Sequence, residues 1–157
     1  MLKVWISGAN GHLGQALCTR LDREKYQLIA TDVAEVDVTV PAEVRAFADA
    51  NRPDVIINCT GFNDEDGCET DPDRAYRVNA LGPRNLALAC EKINARLIHI
   101  STDYVFSGTA NGGVALDESA LPAPISAYGQ TKLLGETYVQ QFCRRHFIVR
   151  TAWLYSY

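Results

Sequence analysis

Residues 1–14, MLKVWISGANGHLG, join a short apolar run to a turn that contains three glycines. The run at 2–6 predicts a buried strand. Glycines at positions 8, 11 and 14 would let the chain turn tightly, approach a pyrophosphate and pack the next helix closely, with its first amides facing the phosphate charge. The candidate residues for binding a dinucleotide are therefore Gly8, Asn10, Gly11, His12, Leu13 and Gly14. Because the spacing is G-x-x-G-x-x-G rather than G-x-G-x-x-G, a plain strand-to-helix turn is the alternative interpretation.

Short apolar runs alternate with helix-like segments along the rest of the chain. The predicted strands are 2–6, 27–31, 36–38, 55–58, 97–101 and 147–151, and the predicted helices are 11–23, 41–51, 71–94 and 126–146. Asp71 with Pro72, Pro41 and Ser126 mark helix starts. The alternation predicts an α/β fold in one domain over 1–157: a doubly wound parallel (Rossmann) sheet of five to six strands with helices on both faces. Ligands bind such sheets beyond the carboxyl ends of the strands. A long loop is expected at 107–124.

The composition is typical of a soluble globular protein. Of the 157 residues, 47% are hydrophobic and 22% are charged. A net charge of -4 and a pI near 5.3 argue against binding to nucleic acid or to an anionic membrane surface. No apolar run approaches the roughly 20 residues of a membrane span, and the first residues do not resemble a secretory signal. We therefore expect a cytoplasmic protein with neither a nucleic-acid nor a membrane partner.

The cysteines and histidines do not indicate a metal site. The five cysteines are scattered and lack a C-x-x-C pair, which predicts reduced thiols. The three histidines are equally dispersed. An acidic run at 63–73 could bind a divalent cation, but a solvated loop with acids near a helix N-terminus is the preferred interpretation.

Asp32 is the candidate residue for cofactor choice. It closes the second predicted strand, eighteen residues after Gly14. A carboxylate there can accept hydrogen bonds from ribose hydroxyls and would repel a 2′-phosphate. Residues 33–40 contain no Arg or Lys to offset that repulsion, so NAD(H) is favoured over NADP(H). A surface aspartate in a loop is the alternative.

Thr102, Tyr128 and Lys132 form the strongest candidate catalytic group. Thr102 follows the fifth apolar strand, and Tyr128 and Lys132 lie four residues apart at the start of the next helix, so they share one face. A lysine cation and the positive end of the helix would lower the pKa of the phenol and make Tyr128 a usable acid or base. Thr102 could hold a substrate oxygen beside it. An exposed Tyr and Lys on an amphipathic helix is the alternative.

Together these residues resemble the extended short-chain dehydrogenase/reductase superfamily and, more narrowly, the dTDP-4-dehydrorhamnose reductase family. The most specific segments are STDYVF at 101–106, YGQTKLLGE at 128–136 and RTAWLY at 150–155. Further matching segments are GANGHLG at 8–14, DVT at 37–39, VIINC at 55–59, DGCE at 66–69 and YRVNALG at 76–82. Pro83 departs from the expected helix at 71–94, because proline should kink or break it just upstream.

The resemblance implies roles for individual residues. Thr102, Tyr128 and Lys132 would form the catalytic triad, with Lys132 also holding the nicotinamide ribose. The implied substrate contacts are Thr102, Asp103, Tyr104 and Trp153. The further implied cofactor contacts are Asp37, Val38, Cys59, Thr60, Gly61 and Asn79, with Cys59, Thr60 and Gly61 on the adenosine side. The family is permissive about its cofactor, so NAD(H) is favoured and NADP(H) stays open.

The function implied by the resemblance is reduction of the C4 ketone of dTDP-4-dehydro-L-rhamnose with NAD(P)H, which gives dTDP-L-rhamnose. The partner is then a nucleotide-sugar substrate, and a homodimer stays open. We expect residues 1–157 to be the NAD(P)-binding domain, with the family's carboxyl-terminal substrate-binding region absent from this chain. Two alternatives share the fold. One is a related sugar-nucleotide epimerase or dehydratase, and the other is a non-catalytic NAD(P)-binding subunit resembling the regulatory subunit of methionine adenosyltransferase.

Overall fold

The computed structural model describes residues 1–108 and 115–155. Its centre is a parallel sheet of five strands: β1 (Leu2–Ser7), β2 (Tyr26–Thr31), β3 (Val55–Asn58), β4 (Arg96–Thr102) and β5 (His146–Thr151). The strand order is β2-β1-β3-β4-β5, and every neighbouring pair is parallel. The direction of strand addition reverses beside β1, which is where doubly wound sheets bind ligands. The predicted fold class is confirmed.

The described residues form six α-helices around this sheet: α1 (His12–Arg20), α2 (Pro41–Asn51), α3 (Glu65–Thr70), α4 (Pro72–Tyr76), α5 (Gly82–Ile93) and α6 (Ala127–Phe142). A 3-10 turn, Asp103–Val105, follows β4. Two of the predicted helix starts have capping side chains, since Asp71 accepts from the Arg74 amide and Ser126 accepts from the Gly129 amide. Helices α1 and α6 end earlier than the patterns predict.

Apolar side chains cover both faces of the sheet. On one face, Trp5, Ile56 and Leu97 pack against Leu86 of α5 and Val139 of α6, and all five are fully buried. On the other face, a smaller cluster includes the β1 residues Val4 and Ile6 and the β3 residue Ile57, with Leu17 of α1 packed against it. Burial of each large apolar side chain is worth about 1.5–3 kcal/mol. The two-layered core holds the carboxyl ends of the strands in fixed positions.

Residues 36–38 do not form the predicted strand. Val36 and Val38 are buried in the main core, but the chain turns there, with the Val36 amide donating to the Asp32 carbonyl at 2.9 Å. The apolar pattern therefore reflects the burial of the two valines, which do not take part in the hydrogen bonding of the sheet. The prediction was wrong because a buried connection and a short strand have the same pattern.

The predicted helix at 71–94 is divided into three parts. Between α4 and α5 lies a π-helical turn, Arg77–Leu81, in which the Gly82 amide donates to the Arg77 carbonyl. Pro83 has no N–H to offer the Asn79 carbonyl four residues earlier. A Cβ on Gly135 of α6 would lie 2.3 Å from that carbonyl oxygen, so the two helices approach closely there. The expected interruption just upstream of Pro83 is confirmed, and it takes the form of a π turn.

The acidic run at 63–73 is more ordered than the predicted loop. Asp64 and Asp71 cap the short helices α3 and α4, accepting from the amides of Gly67 and Arg74. Most of the acidic side chains are exposed near these helix starts, as expected. Residues 109–114 of the expected loop at 107–124 lie outside the described residues. The described part of that loop contains neither helix nor strand.

Within 1–108 and 115–155, no helix is both long enough and apolar enough to cross a bilayer. In the same ranges, no group of three or more His, Cys, Asp or Glu side chains is arranged to hold a metal ion. All five cysteines are free, and Cys68, Cys90 and Cys143 are buried.

Candidate active site

Two neighbouring cavities open at the carboxyl ends of the strands. The first, of about 310 Å³, lies between the start of α1, the ends of β4 and β5 and the start of α6. It is lined by Gly11, His12, Leu13, Cys59, Thr60, Asn63, Glu65, Ile100, Ser101, Thr102, Asp103, Tyr104, Tyr128, Lys132, Thr151, Trp153 and Leu154. The second, of about 250 Å³, is lined by Asp32, Val33, Val36, Asp37, Val38, Thr39, Thr60, Gly61, Phe62, Arg74 and Val78. Thr60 borders both cavities, so they are adjacent.

The glycine turn after β1 forms one wall of the first cavity. Gly8 has a φ of +77°, and a Cβ there would lie 2.8 Å from the Thr60 amide nitrogen. A Cβ on Gly14 would lie 2.2 Å from the Gly8 carbonyl oxygen. Gly11 precedes α1 and has no side chain with which to cap it. The first amides of α1 are therefore available to an anion in the cavity.

Asp32 links the glycine turn to the end of β2. Its Oδ2 accepts from the Asn10 amide at 2.9 Å, and its Oδ1 accepts from the Val33 amide at 2.8 Å. The Asp32 amide in turn donates to the Glu35 carboxylate at 2.8 Å. These bonds hold a negative charge at the border of the second cavity.

The turn after β3 is supported from within the sheet. The buried Asn58 side chain donates to Nδ1 of His99 at 3.0 Å and accepts from the Thr60 amide at 3.0 Å. In the described part of the chain, His99 Nε2 has no hydrogen-bond partner. Burial holds the pKa of His99 well below its usual range, with Lys132 acting in the same direction. Neutral His99 and Asn58 therefore position Thr60, whose hydroxyl lies 2.9 Å from that of Ser7.

Thr102, Tyr128 and Lys132 all line the first cavity. Gly129 allows α6 to approach the 3-10 turn, because a Cβ there would lie 2.3 Å from the Tyr104 carbonyl oxygen. The Tyr128 hydroxyl donates to Asn63 Oδ1 at 3.4 Å, and Lys132 Nζ donates to the Ile100 carbonyl at 2.7 Å. Only 9% of Tyr128 and 4% of Lys132 is exposed. The sequence prediction that these residues lie together agrees with this arrangement.

The electrostatics of Tyr128 differ from the prediction. Burial raises the pKa of the phenol, and the hydrogen bond from the nearby Thr102 hydroxyl only partly opposes this. The predicted decrease was wrong because desolvation disfavours the phenolate, and because the Lys132 ammonium is directed at a backbone carbonyl. Burial also lowers the pKa of Lys132 to about 8, and the Glu136 carboxylate opposes that decrease.

An ion pair with a buried carboxylate lies one helical turn beyond Lys132. Arg150 of β5 donates from Nε and Nη2 to the two carboxylate oxygens of Glu136, at 2.9 and 2.7 Å. The Ser101 hydroxyl donates to the same carboxylate. Only 1% of Glu136 is exposed. Sequence reasoning assigned no role to this pair, although the spacing of four residues from Lys132 was a usable signal.

The predicted substrate residues all border the first cavity, together with two residues that the sequence did not indicate. Asp103, Tyr104 and Trp153 lie there with Thr102, and Asn63 and Glu65 face the same space. A hydrogen bond to Glu65 and burial raise the pKa of Tyr104. The acidic run was interpreted as solvated, so its first residues were missed. Their position in the segment that follows β3, five and seven residues after Asn58, was the available signal.

The predicted cofactor residues divide between the two cavities. Those on the first cavity are Gly11, His12, Leu13, Cys59, Thr60, Tyr128 and Lys132, and those on the second are Asp32, Asp37, Val38, Thr60 and Gly61. Of the three residues expected on the adenosine side, Thr60 borders both cavities, Gly61 borders the second and Cys59 borders the first. Gly8, Asn10, Gly14 and Asn79 border neither cavity.

Asn79 supports the cavity wall through Phe62. Its Oδ1 accepts from the Phe62 amide at 2.8 Å, and its Nδ2 donates to the Phe62 carbonyl at 3.0 Å. Asn79 is 1% exposed. Both ends of its amide are therefore used to fix the backbone of Phe62, which lines the second cavity.

Comparisons with known proteins give one consistent result. A family model described as RmlD substrate binding domain matches residues 2–157. The dTDP-4-dehydrorhamnose reductase of Mycobacterium tuberculosis (strain ATCC 25618 / H37Rv) is 40% identical over 153 residues, which cover 96% of this chain and 50% of that protein. The spore coat polysaccharide biosynthesis protein SpsK of Bacillus subtilis is 35% identical, over 100% of this chain and 55% of that protein. The chain spans about half the length of the curated relatives it matches.

Solved structures agree with the family match. A dTDP-4-dehydrorhamnose reductase from Clostridium acetobutylicum superimposes with a TM-score of 0.95 at 43% identity, over 98% of this chain and 54% of that one. The dTDP-4-dehydrorhamnose reductase of Bacillus anthracis, solved in complex with NADP, gives a TM-score of 0.95 at 41% identity, over 99% of this chain and 55% of that one. The arrangement of β1 to β5 is therefore similar to that of these structures.

Proposed function

Because the chain belongs to the RmlD substrate binding domain family, we propose that the protein containing it reduces the C4 ketone of dTDP-4-dehydro-L-rhamnose with NADH or NADPH. The product is dTDP-L-rhamnose. The observation that carries the proposal is the meeting of Thr102, Tyr128 and Lys132 in one cavity with the uncapped start of α1. That cavity combines a proton donor, a cation and free amides.

The residues present fit a nicotinamide dinucleotide. The turn after Gly8 leaves no room for a Cβ at Gly14, whereas a Cβ on Gly11 would meet only the Gly8 carbonyl oxygen at 3.5 Å. The chain is therefore tightly packed at Gly14 and open at Gly11, where the amides of α1 would hold the pyrophosphate. Asp32 would accept hydrogen bonds from the adenosine ribose in the adjacent cavity. When bound, the nicotinamide supplies the hydride that reduces the C4 carbon.

Tyr128 is the proton donor in this proposal. Burial raises the pKa of its phenol, so the side chain stays protonated at neutral pH, as a reduction requires. The proton passes from the Tyr128 hydroxyl to the C4 oxygen as that oxygen gains negative charge. The Thr102 hydroxyl holds the same oxygen by a hydrogen bond. Lys132 binds the nicotinamide ribose.

The wall formed by Asp103, Tyr104 and Trp153 is proposed to receive the sugar. Tyr104 packs edge-on against Tyr128, with ring centroids 5.5 Å apart. This contact limits the movement of the phenol toward the 3-10 turn. A substrate ketone held against the wall would then lie beside the proton donor.

The test is oxidation of NADH or NADPH, followed at the nicotinamide absorbance, by the protein that contains this chain. With dTDP-4-dehydro-L-rhamnose as substrate, Tyr128→Phe should lower the rate by about 10²–10⁴ and leave cofactor affinity nearly unchanged. Tyr138→Phe is the matched control, because this α6 hydroxyl pairs with Tyr76 outside the cavity. Turnover of Tyr128→Phe at the parent rate, or cofactor binding without any turnover, would overturn the proposal.

A further inference from the structure

The second cavity contains a cation that lies far from Asp32 in the sequence. Arg74 of α4 lines this cavity together with Asp32 and Asp37. Arg74 follows Asp32 by 42 residues, so the charge of the segment directly after β2 gives no sign of this cation. The following inference rests on the proposed function, which places the adenosine ribose of the cofactor in this cavity.

Arg74 is held in place by its neighbours. Its guanidinium carbon lies 4.3 Å from the centre of the Phe62 ring, a cation–π distance. The Phe62 backbone is fixed by its two hydrogen bonds with Asn79. The Arg74 amide donates to the Asp71 carboxylate at 3.0 Å, which anchors the start of α4. Both the ring beneath the guanidinium and the backbone that carries it are therefore fixed.

The charge of Arg74 is available to a ligand. Among residues 1–108 and 115–155, the four ion pairs within 4.0 Å join other side chains. A guanidinium stacked on a ring keeps its N–H groups free in the plane, where they can bind two oxygens of one phosphate. The Arg74 guanidinium, which takes part in none of these ion pairs, can therefore bind a phosphate that enters the cavity.

We propose that Arg74 is a specificity-determining residue for the cofactor, binding the 2′-phosphate of NADPH and offsetting its repulsion by Asp32. The two Asp32 oxygens accept from backbone amides, so the carboxylate cannot turn away from a 2′-phosphate. Arg74, a cation in the lining of the same cavity, compensates for that fixed charge. The protein then accepts both cofactors, with Asp32 binding the ribose hydroxyls of NADH and Arg74 binding the added phosphate of NADPH.

The test measures dissociation constants of NADH and NADPH by calorimetry, which needs no turnover. Arg74→Gln should weaken NADPH binding about tenfold and leave NADH binding within about twofold. The difference in NADPH affinity between the parent and Arg74→Gln should decrease at high salt, because an exposed charge pair is screened. Arg74→Lys, which keeps the charge and loses the planar fork, should give an intermediate value.

Arg77→Gln is the matched control. Arg77 is exposed, follows Arg74 by three residues and does not border the second cavity. Its substitution should change neither dissociation constant, and thermal melting of each variant checks that it is folded. If Arg74→Gln does not fold, the NADPH to NADH affinity ratio of Arg74→Lys decides the question.

Three results would overturn the inference. Equal weakening of both cofactors by Arg74→Gln would show a structural role for Arg74. Unchanged NADPH binding would show that the guanidinium does not reach the phosphate. If the parent binds neither NADH nor NADPH, the proposed function fails along with the inference, and this outcome is distinct because it appears before any substitution is made.

Discussion

Lys132 and the ion pair behind it allow a test in which two substitutions should have opposite effects. Burial lowers the pKa of Lys132 to about 8, and the Glu136 carboxylate opposes the decrease. Arg150 donates to both oxygens of that carboxylate, at 2.9 and 2.7 Å. Glu136→Gln removes the negative charge, whereas Arg150→Met removes the positive charge that partly neutralises it.

The magnitude follows from the helix geometry. Side chains four residues apart have Cβ atoms about 5–6 Å from each other. At about 6 Å and an effective dielectric constant of about 20, a full carboxylate charge stabilises an ammonium by about 2.8 kcal/mol, or about two pH units. Arg150 cancels part of this charge. We therefore expect Glu136→Gln to lower the titration midpoint of Lys132 by about one pH unit, and Arg150→Met to raise it by a similar amount.

The assay is the ¹³C shift of the lysine ε-carbon as a function of pH. The chain has four lysines, Lys3, Lys25, Lys92 and Lys132, so the spectrum is simple, and Lys132→Met identifies the buried signal. The signals of the three other lysines serve as internal references in each spectrum. The measurement needs neither cofactor nor substrate, so it tests the electrostatics independently of the proposed reaction.

Both substitutions break this ion pair and should destabilise the protein. The larger loss, about 3–5 kcal/mol, is expected for Arg150→Met, because it leaves the buried Glu136 carboxylate without its partner. Loosening of the fold would expose Lys132 and raise its midpoint in both variants. Opposite shifts therefore separate electrostatics from unfolding. Two shifts of the same sign, or an unchanged midpoint in Glu136→Gln, would refute the assignment of Glu136. Thermal melting shows whether each variant is folded at the temperature of the titration.

The remaining predictions concern stability and cofactor choice. The parent's stability should rise between about pH 8 and 10.5, because folded Lys132 loses its proton before the unfolded chain does; urea unfolding of Lys132→Met should lack this rise. Asp32→Ala should narrow the gap between NADH and NADPH affinity, and calorimetry showing an equal or wider gap would contradict the repulsion argument. Gly14→Ala should cost about 3 kcal/mol or more in urea unfolding, because its Cβ would lie 2.2 Å from the Gly8 carbonyl oxygen. Gly11→Ala should cost less than about 1 kcal/mol, because its Cβ would meet only the Gly8 carbonyl oxygen at 3.5 Å. It should nevertheless weaken NADH binding, because Gly11 lines the first cavity.

Local rules predicted the parts of the fold that depend on neighbours in sequence. The glycine turn was found because turn, strand and helix adjoin. Thr102 was found because ligand-binding residues follow the carboxyl ends of parallel strands, and Tyr128 and Lys132 were found because residues four apart share one face of a helix. Residues 36–38 were misassigned because two buried valines satisfy a strand pattern without any ladder.

Tertiary properties could not be obtained in the same way. The raised pKa of Tyr128 depends on how completely the surrounding elements exclude water. Arg74 reaches the second cavity from a helix rather than from a strand end, so the strand-end rule cannot find it. Glu65 lies in a segment whose many acids suggested solvent, and only its position after β3 brings it to the first cavity.

The π turn at Arg77–Leu81 has a consequence for how this part of the fold can vary. Successive residues of an α-helix are rotated by about 100° around its axis. The extra residue of the π turn therefore changes the direction in which the side chains of α5 point relative to those before the turn. Asn79 can therefore face Phe62 while Leu86 of α5 faces the sheet core, and both are buried. Deleting one residue within 77–81 would restore continuous phase and rotate Asn79 away from Phe62. The orientation of Asn79 toward Phe62 and the orientation of α5 toward the core therefore depend on the length of the segment 77–81. A change in that length would alter the second cavity without altering the sheet.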